Sequence, residues 1–309
     1  MAPASGLLRL AGTLAAIALL ATSCGTETAP GADGSGTAGG SASSAPASAA
    51  PSPSDLDVAS LVGTWSVSAD GAPPGLLVTI SPGEVTVWQD CGAVGLSWRA
   101  STSGMFAAAL GSWAGECGTP ARPDAAWLEA VAGWQPEGTG IRLVDPSGAE
   151  SATLEPAAPP TVKAYAGIRV PDQASLTDEM RRALNATPSM GAGVSRAATR
   201  ELLVGAWVAV PPATAPADSG ALDRETPGFT LAEDGLWKGT DGCNGGGGRW
   251  NADAEGRIIA TSGNSTLVGC NNIDAPRWLG GAWLAGFTSD GTLVLYDYEG
   301  AELGRLTRA

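Results

Sequence analysis

The sequence predicts an α+β fold that is mainly β: two tandem small antiparallel β domains, each with one short helix packed on its sheet. Three observations predict it. Short apolar or alternating runs, LLVTI (76–80), VTVW (85–88), FTLA (229–232), RIIA (257–260) and LVLYDY (293–298), are separated by Gly, Asp and Pro, as strands joined by tight turns are. A repeat carries the first half of the chain onto the second. LVGTW ending at Trp65 matches LVGAW ending at Trp207, and DCGAVGLSWRA from Asp90 matches GCNGGGGRWNA from Gly242. Self-similarity of this kind precedes any single motif. One longer segment in each half, Pro123 to Trp134 and Ala275 to Phe287, spaces Trp, Leu and Val at intervals of three and four, which predicts a short amphipathic helix. The unit expected is a sheet of roughly six to eight strands with that helix on it.

Along the chain, Arg9 precedes the apolar run Leu10 to Leu20, too short to span a bilayer at roughly 20 residues but suited to the core of a signal peptide. Cys24 follows the small residues Ala21, Thr22 and Ser23, in the pattern of a bacterial lipobox. Residues 1–23 are therefore expected to be a lipoprotein signal peptide, and Cys24 the lipidated residue. Residues 24–54 are Gly, Ser, Ala and Pro with little to bury, so they cannot offset their ordering entropy and are expected to form a disordered tether. A flexible chain of that length reaches about 30 Å.

Domain 1 is expected at 55–157 and domain 2 at 201–309. Their closing segments, GTGIRLVDPSGAESATL and GTLVLYDYEGAELGRLT, both read as strand, turn, strand. Residues 158–200 form the connection. Within it, Ser175 or Thr177 can cap a short helix with Asp178 and Glu179 in its first turn and Arg181 and Arg182 later, in agreement with the helix dipole.

Composition excludes several function classes. The net charge is −14, which argues against nucleic acid as a partner, because phosphate binding needs a clustered basic face. There is no histidine in the chain, so Ser-His-Asp triads, Cys-His pairs and His-ligated zinc are impossible. Setting Cys24 aside leaves Cys91, Cys117, Cys243 and Cys270 in two similarly spaced pairs. Outside the cytoplasm these are expected to be disulfides, and the lack of CxxC spacing argues against a four-cysteine zinc site.

The second half resembles the META or HslJ-like domain. The residues that carry the resemblance are GAW at Gly205 to Trp207, FTLAEDGLWKGTDGCNGGGGRW from Phe229 to Trp250, STLVGC before the helix, and the closing LVLYDYEGAELGRL. The first half has Asp-Cys-Gly where the family has Gly-Cys-Asn, and is joined to the family through the repeat. The resemblance implies a small antiparallel β fold with a helix, found in bacterial envelope and stress-associated proteins that are often lipoproteins. It implies no catalytic residues.

The glycine run of DGCNGGGGRW could cradle a phosphate, but a P-loop needs Gly-Lys-Ser/Thr, and Gly248 is followed by Arg249 and Trp250. Close approach of another backbone, beside a disulfide, is the expectation. Asn251, Asp253 and Glu255 with Gly256 echo a calcium loop but end at Ser262, so a hairpin turn is expected. No metal and no cofactor are expected. Asp241 with Asp234 or Asp253 could form a glycosidase pair, yet nothing sets them apart. Trp65, Trp207, Trp98 and Trp250 recur in both copies, as core positions do, whereas Trp88, Trp113 and Trp237 do not and are the candidates for a ligand-facing surface.

These readings combine into a cell-surface lipoprotein of a Gram-positive bacterium, held on the extracytoplasmic face of the cell membrane by lipid on Cys24. It would be non-catalytic, an envelope-binding or stress-associated module whose partner is an envelope protein, a wall polymer or a small ligand. The alternative is an enzyme inhibitor, or a carboxylate-based hydrolase, using an acidic cleft between the domains.

Overall fold

Two curled antiparallel sheets, one per copy, pack side by side. The computed structural model describes residues 56–115, 125–161, 176–211, 225–266 and 272–309. Residues 1–55, which hold the expected signal peptide, Cys24 and the expected tether, lie outside them, as do Cys117, Pro123, Ser175 and Cys270. No described helix is long and apolar enough to cross a membrane.

A 3-10 helix (Val58–Leu61), capped by Asp57, opens the first copy. Its strands are β1 (Gly63–Ala69), β2 (Leu77–Ile80), β3 (Val85–Gln89), β4 (Gly92–Ala100), β5 (Phe106–Gly115), β6 (Gly133–Glu137), β7 (Gly140–Val144) and β8 (Glu150–Pro156). They form one sheet in the order β5-β4-β3-β2-β1-β8-β7-β6. The connection supplies α2 (Asp178–Leu184) and β9 (Val194–Ala197). After α3 (Arg200–Leu203) come β10 (Gly205–Ala209), β11 (Gly228–Leu231), β12 (Leu236–Thr240), β13 (Gly245–Ala252), β14 (Ile258–Ala260), β15 (Leu284–Thr288), β16 (Leu293–Tyr296) and β17 (Glu302–Arg308). This second sheet runs β14-β13-β12-β11-β10-β17-β16-β15, the same path as the first, with β9 added outside β15. The α+β, mainly β fold class is as the sequence predicts.

Each sheet curls until its first strand meets the equivalent far strand, β5 meeting β6 and β14 meeting β15. In the first, Phe106 N–H donates to Ala132 O at 2.9 Å and Trp134 N–H to Gly104 O at 2.8 Å. In the second, Ile258 N–H donates to Trp283 O at 3.1 Å and Ala285 N–H to Gly256 O at 2.8 Å. Curling removes edges that would otherwise pair with other chains and encloses a core in each copy. The repeated tryptophans fill equivalent places there: Trp65 Nε1 donates to Leu61 O and Trp207 Nε1 to Leu203 O, while Trp98 Nε1 donates to Ser81 O and Trp250 Nε1 to Ala232 O. All four indoles are buried.

The helices are shorter than their spacing predicts. The first, α1, covers Ala126–Glu129, and α4 covers Ala275–Gly281. Gly280 and Gly281 weaken the last turn of α4, and Ala282 is already extended. Beyond them Trp134 and Phe287 stand in β6 and β15, where Leu284–Phe287 is buried on both faces, and a strand buried on both faces has no alternation to tell it from a helix. Thr177 caps α2, its hydroxyl accepting from Met180 N–H at 3.2 Å.

The two sheets meet along β4 and β5 of one copy and β13 and β14 of the other. The contacts are reciprocal. β4 corresponds to β13 and β5 to β14 in the repeat, and β5 touches β13 as β4 touches β14, which is the signature of an isologous, two-fold-like interface. Met105, Ala107 and Ile259 form a small apolar cluster across it. Arg99 of β4 donates to Gly280 O at 3.0 Å and Ala282 O at 3.1 Å; at the equivalent place Asn251 of β13 donates to Ala132 O at 3.1 Å. Arg99 also stacks 4.7 Å above the Trp283 ring. Burial pushes its guanidinium down to about 10, yet it stays charged at neutral pH, and among the described residues its Nε has no hydrogen-bond partner.

Truncation by Arg99→Ala leaves the carbonyls at the end of α4 without donors and opens a void beside Trp283, so a loss of about 3 kcal/mol in urea-induced unfolding is expected. Arg99→Met keeps much of the packing and removes a buried charge, so it is expected to lose less. A larger loss in the Met variant would overturn this account.

Candidate functional site

The seam between the sheets opens into two cavities at equivalent places on its two sides. The first has a volume of about 300 Å³, with Phe106, Val144 and Asp145 of the first copy facing Arg200, Asp234, Arg249 and Asn251 of the second. Its mate, about 250 Å³, is lined by Trp98, Arg99, Trp283 and Tyr298 and closed by Met180 and Leu184 of α2. Repeat-equivalent residues Trp250 and Trp98, and Asn251 and Arg99, occupy corresponding places in the two.

The first cavity carries charge. Arg200 stacks 4.6 Å above the Trp250 ring and donates to Asn251 Oδ1 and to Glu233 O, both at 2.9 Å. Arg249 donates to Asp234 O at 3.3 Å. Both guanidinium Nη2 atoms lie 3.6 Å from the point where a side chain on Gly235 would begin, so they converge on one wall. Burial lowers the Arg200 guanidinium from its ordinary value, with Arg249 adding to the fall and Glu201 and Asp234 opposing it. Among the described residues neither Arg200 nor Arg249 lies within ion-pair distance of a carboxylate. Asp145 lies on the first copy's side. Its Oδ1 accepts from Ser147 Oγ at 2.6 Å, Ser147 N–H at 2.8 Å and Ala149 N–H at 3.0 Å; the Ser147 hydroxyl leads the causes that hold the carboxyl below its usual range, so it is ionised at neutral pH.

The glycine run does a different job. Residues 241–244 turn between β12 and β13, and Gly245–Gly248 begin β13. Trp237 pairs with Gly248 across the strands, where the first copy pairs Val85 with Leu96. One indole over a bare strand thus replaces two aliphatic side chains. Trp237 Nε1 donates to Thr261 O at 2.7 Å, and a Cβ on Gly248 would run into both that carbonyl and the indole. Asp241 caps the turn, its Oδ1 accepting from Cys243 and Asn244 N–H at 2.7 and 2.6 Å. Burial works against its ionisation, but the bonds from Asn244 and Cys243 prevail and lower its pKa.

The structure separates the other expected residues. Trp113 is exposed at 47%. Trp88 and Trp237, expected to face ligand from the surface, are buried instead. Trp88 Nε1 donates to Thr79 Oγ1 at 3.0 Å inside the first core, whereas the Trp237 ring forms part of the floor of a groove of about 760 Å³ over the glycine strand, walled by Trp278 and Arg277. Cys91 and Cys243 are both disulfide-bonded. Asp253 holds the β13–β14 turn, accepting from Arg257 Nε at 2.6 Å and from Ser103 Oγ of the other copy at 2.8 Å. Asp234 and Asp241 have their own backbone partners. Among the described residues no three His, Cys, Asp or Glu side chains are grouped to hold a metal ion. The seam residues Arg200, Arg249 and Asp145 escaped the sequence reading; the one signal for the two arginines is a basic residue that breaks the repeat in an acidic chain, whereas Asp145 has none, because Asp297 matches it and caps the same turn. Comparison with family models, with curated proteins and with solved structures returned no match.

Gly248→Ala is expected to cost 3 kcal/mol or more, about the scale of overpacking against backbone. Gly245, with open space around its Cβ position, should accept Ala within about 0.5 kcal/mol. Equal losses at the two positions would refute the indole-over-glycine explanation. Non-reducing peptide mapping is expected to join Cys91 to Cys117 and Cys243 to Cys270.

Proposed function

We propose that this chain is a lipid-anchored binding protein of a bacterial envelope, built from two META-like halves and without chemistry of its own, whose ligand sits in the charged cavity at the seam. The observation that carries the reading is the convergence of Arg200 and Arg249 in a cavity walled by both copies, in a chain of net charge −14. Pockets with a few convergent polar groups at an interface between packed units are where ligands commonly bind. The carboxylates that a hydrolase would need support binding better: Asp241 and Asp253 are spent on turns, and the bonds around Asp145 and Asp241 hold them ionised where a general acid must stay protonated. Anchorage is supported by the apolar run ending near Cys24 and by the tether after it.

Fractionation of cells tests the anchor: Cys24→Ala should move the protein from the membrane pellet to a soluble fraction, and persistence in the pellet would sink it. Crosslinking on intact cells followed by pull-down tests binding. A specific envelope component should be captured by the parent and largely lost with Arg249→Gln; equal capture by the two would place the binding surface elsewhere.

A further inference from the structure

We infer that the charged cavity at the seam takes a small zwitterion, a molecule carrying a carboxylate and an ammonium group, such as a short peptide with free ends. The inference rests on the seam being the binding site and names the ligand class. One wall presents two guanidiniums. Arg200 is held in place by the Trp250 ring and by Asn251 Oδ1, and Arg249 by Asp234 O, so each keeps N–H donors beyond those bonds. A paired guanidinium wall matches a carboxylate better than any neutral group does, through charge-assisted hydrogen bonds.

The other wall presents one ionised carboxylate. Asp145 directs Oδ1 into its own turn, while Oδ2 takes none of those bonds and can accept from an ammonium. Asp234 is the remaining carboxylate in the lining; its Oδ1 accepts from Leu236 N–H at 3.0 Å, its side chain is exposed, and its charge offsets part of the guanidinium field at Arg200. An anion alone would satisfy the arginines and meet the like charge of Asp145. A cation alone would do the reverse. A zwitterion satisfies both walls, and at about 300 Å³ the cavity is at the small end of ligand sites, large enough for a short peptide but not for a polymer chain laid lengthwise.

The repeat supports a site chosen at this place and not at its mate. Arg249 stands where the first copy has Ser97, and Asn251 where it has Arg99. In the mate cavity the arginine is turned into the α4 carbonyls and the opening is apolar, closed by Met180 and Leu184. Only one of two equivalent hollows is thus built with opposed charges.

The test is calorimetric titration of the full chain in detergent with alanyl-alanine, its N-acetyl derivative and its C-terminal amide. Hydrogen-exchange mass spectrometry is run beside it on peptides covering β13 and the β7–β8 turn. Alanyl-alanine should bind and protect both peptides, and each blocked form should bind at least tenfold more weakly. Arg249→Gln should weaken alanyl-alanine at least tenfold, with partial recovery in Arg249→Lys. Asp145→Asn, which keeps the Oδ1 acceptor of the turn, should remove the preference for the free amine over the acetylated form. Equal binding of the acetylated form overturns the zwitterion in favour of a plain anion. No heat and no protection from any of the three overturns it as well; if the component captured on cells still protects the seam peptides, the seam remains the binding site and only the ligand class falls.

Discussion

Arg99 reaches out of one curled sheet and donates to the carbonyls at the end of the other sheet's helix, and the geometry of the seam follows from that contact. The last carbonyls of a helix have no partners within it, and α4 ends on glycines with no side chain to help. A guanidinium from the neighbouring copy supplies the donors, and the Trp283 ring supplies a face for its charge. Burying a cation without a carboxylate is costly, so the arrangement stands only while the carbonyls, the indole and the reciprocal Asn251 contact on the other side are all present. That mutual dependence fixes which strands face each other, and so where the two hollows open.

The same interface explains why the glycine run is scaffold and not a cradle. Thr261 must pass close enough to β13 for its carbonyl to accept from Trp237 and its hydroxyl oxygen from Arg249 N–H. A side chain at Gly248 would block that approach, because its Cβ would meet Thr261 O, while one at Gly247 would sit 2.8 Å from Trp237 O and push β13 away from β12 on its other side. Bare backbone there lets the chain leading from β14 lie flat. Ser262 O then accepts from Ser97 Oγ of the other copy at 2.6 Å. Glycine acts here through close packing of backbone on backbone, and its effect on the seam is to set the distance between copies.

Much of the fold was legible because it is written twice. The strand runs 76–80, 85–88, 229–232, 257–260 and 293–298 overlap β2, β3, β11, β14 and β16 closely, and indoles matched between copies are core indoles. The helix boundaries failed where a strand buried on both faces imitates helical spacing, as in Leu284–Phe287. Trp237 failed for a subtler reason. Its counterpart Val85 is smaller, so it looked unmatched, yet its strand partner Gly248 is smaller than Leu96 by a similar measure. The matched quantity was the volume of a cross-strand pair, which is what sheet faces conserve when they pack. The curling of each sheet, the ninth strand taken from the connection and the seam itself depend on contacts far apart in sequence, and no local period records them.

A repeat also tells scaffold from site, by an argument that runs opposite to the usual search for shared motifs. Positions alike in the two copies, such as Trp98 and Trp250 with their matching backbone bonds, do the work both copies need, which is to build a core. Positions that differ while facing equivalent hollows are released from that work. At the seam Arg99 and Asn251 line the two hollows at equivalent places, and Arg249 lines the charged one where its counterpart Ser97 instead bonds across the interface to Ser262 O. In the first copy the single arginine is consumed by the interface. In the second, an asparagine takes over the interface contact, and an arginine two residues earlier is left to face the cavity beside Arg200. Two-fold packing with unequal side chains therefore converts one architectural contact into two different surroundings, and the charged one arises because the asparagine is short enough to satisfy the interface without filling the hollow.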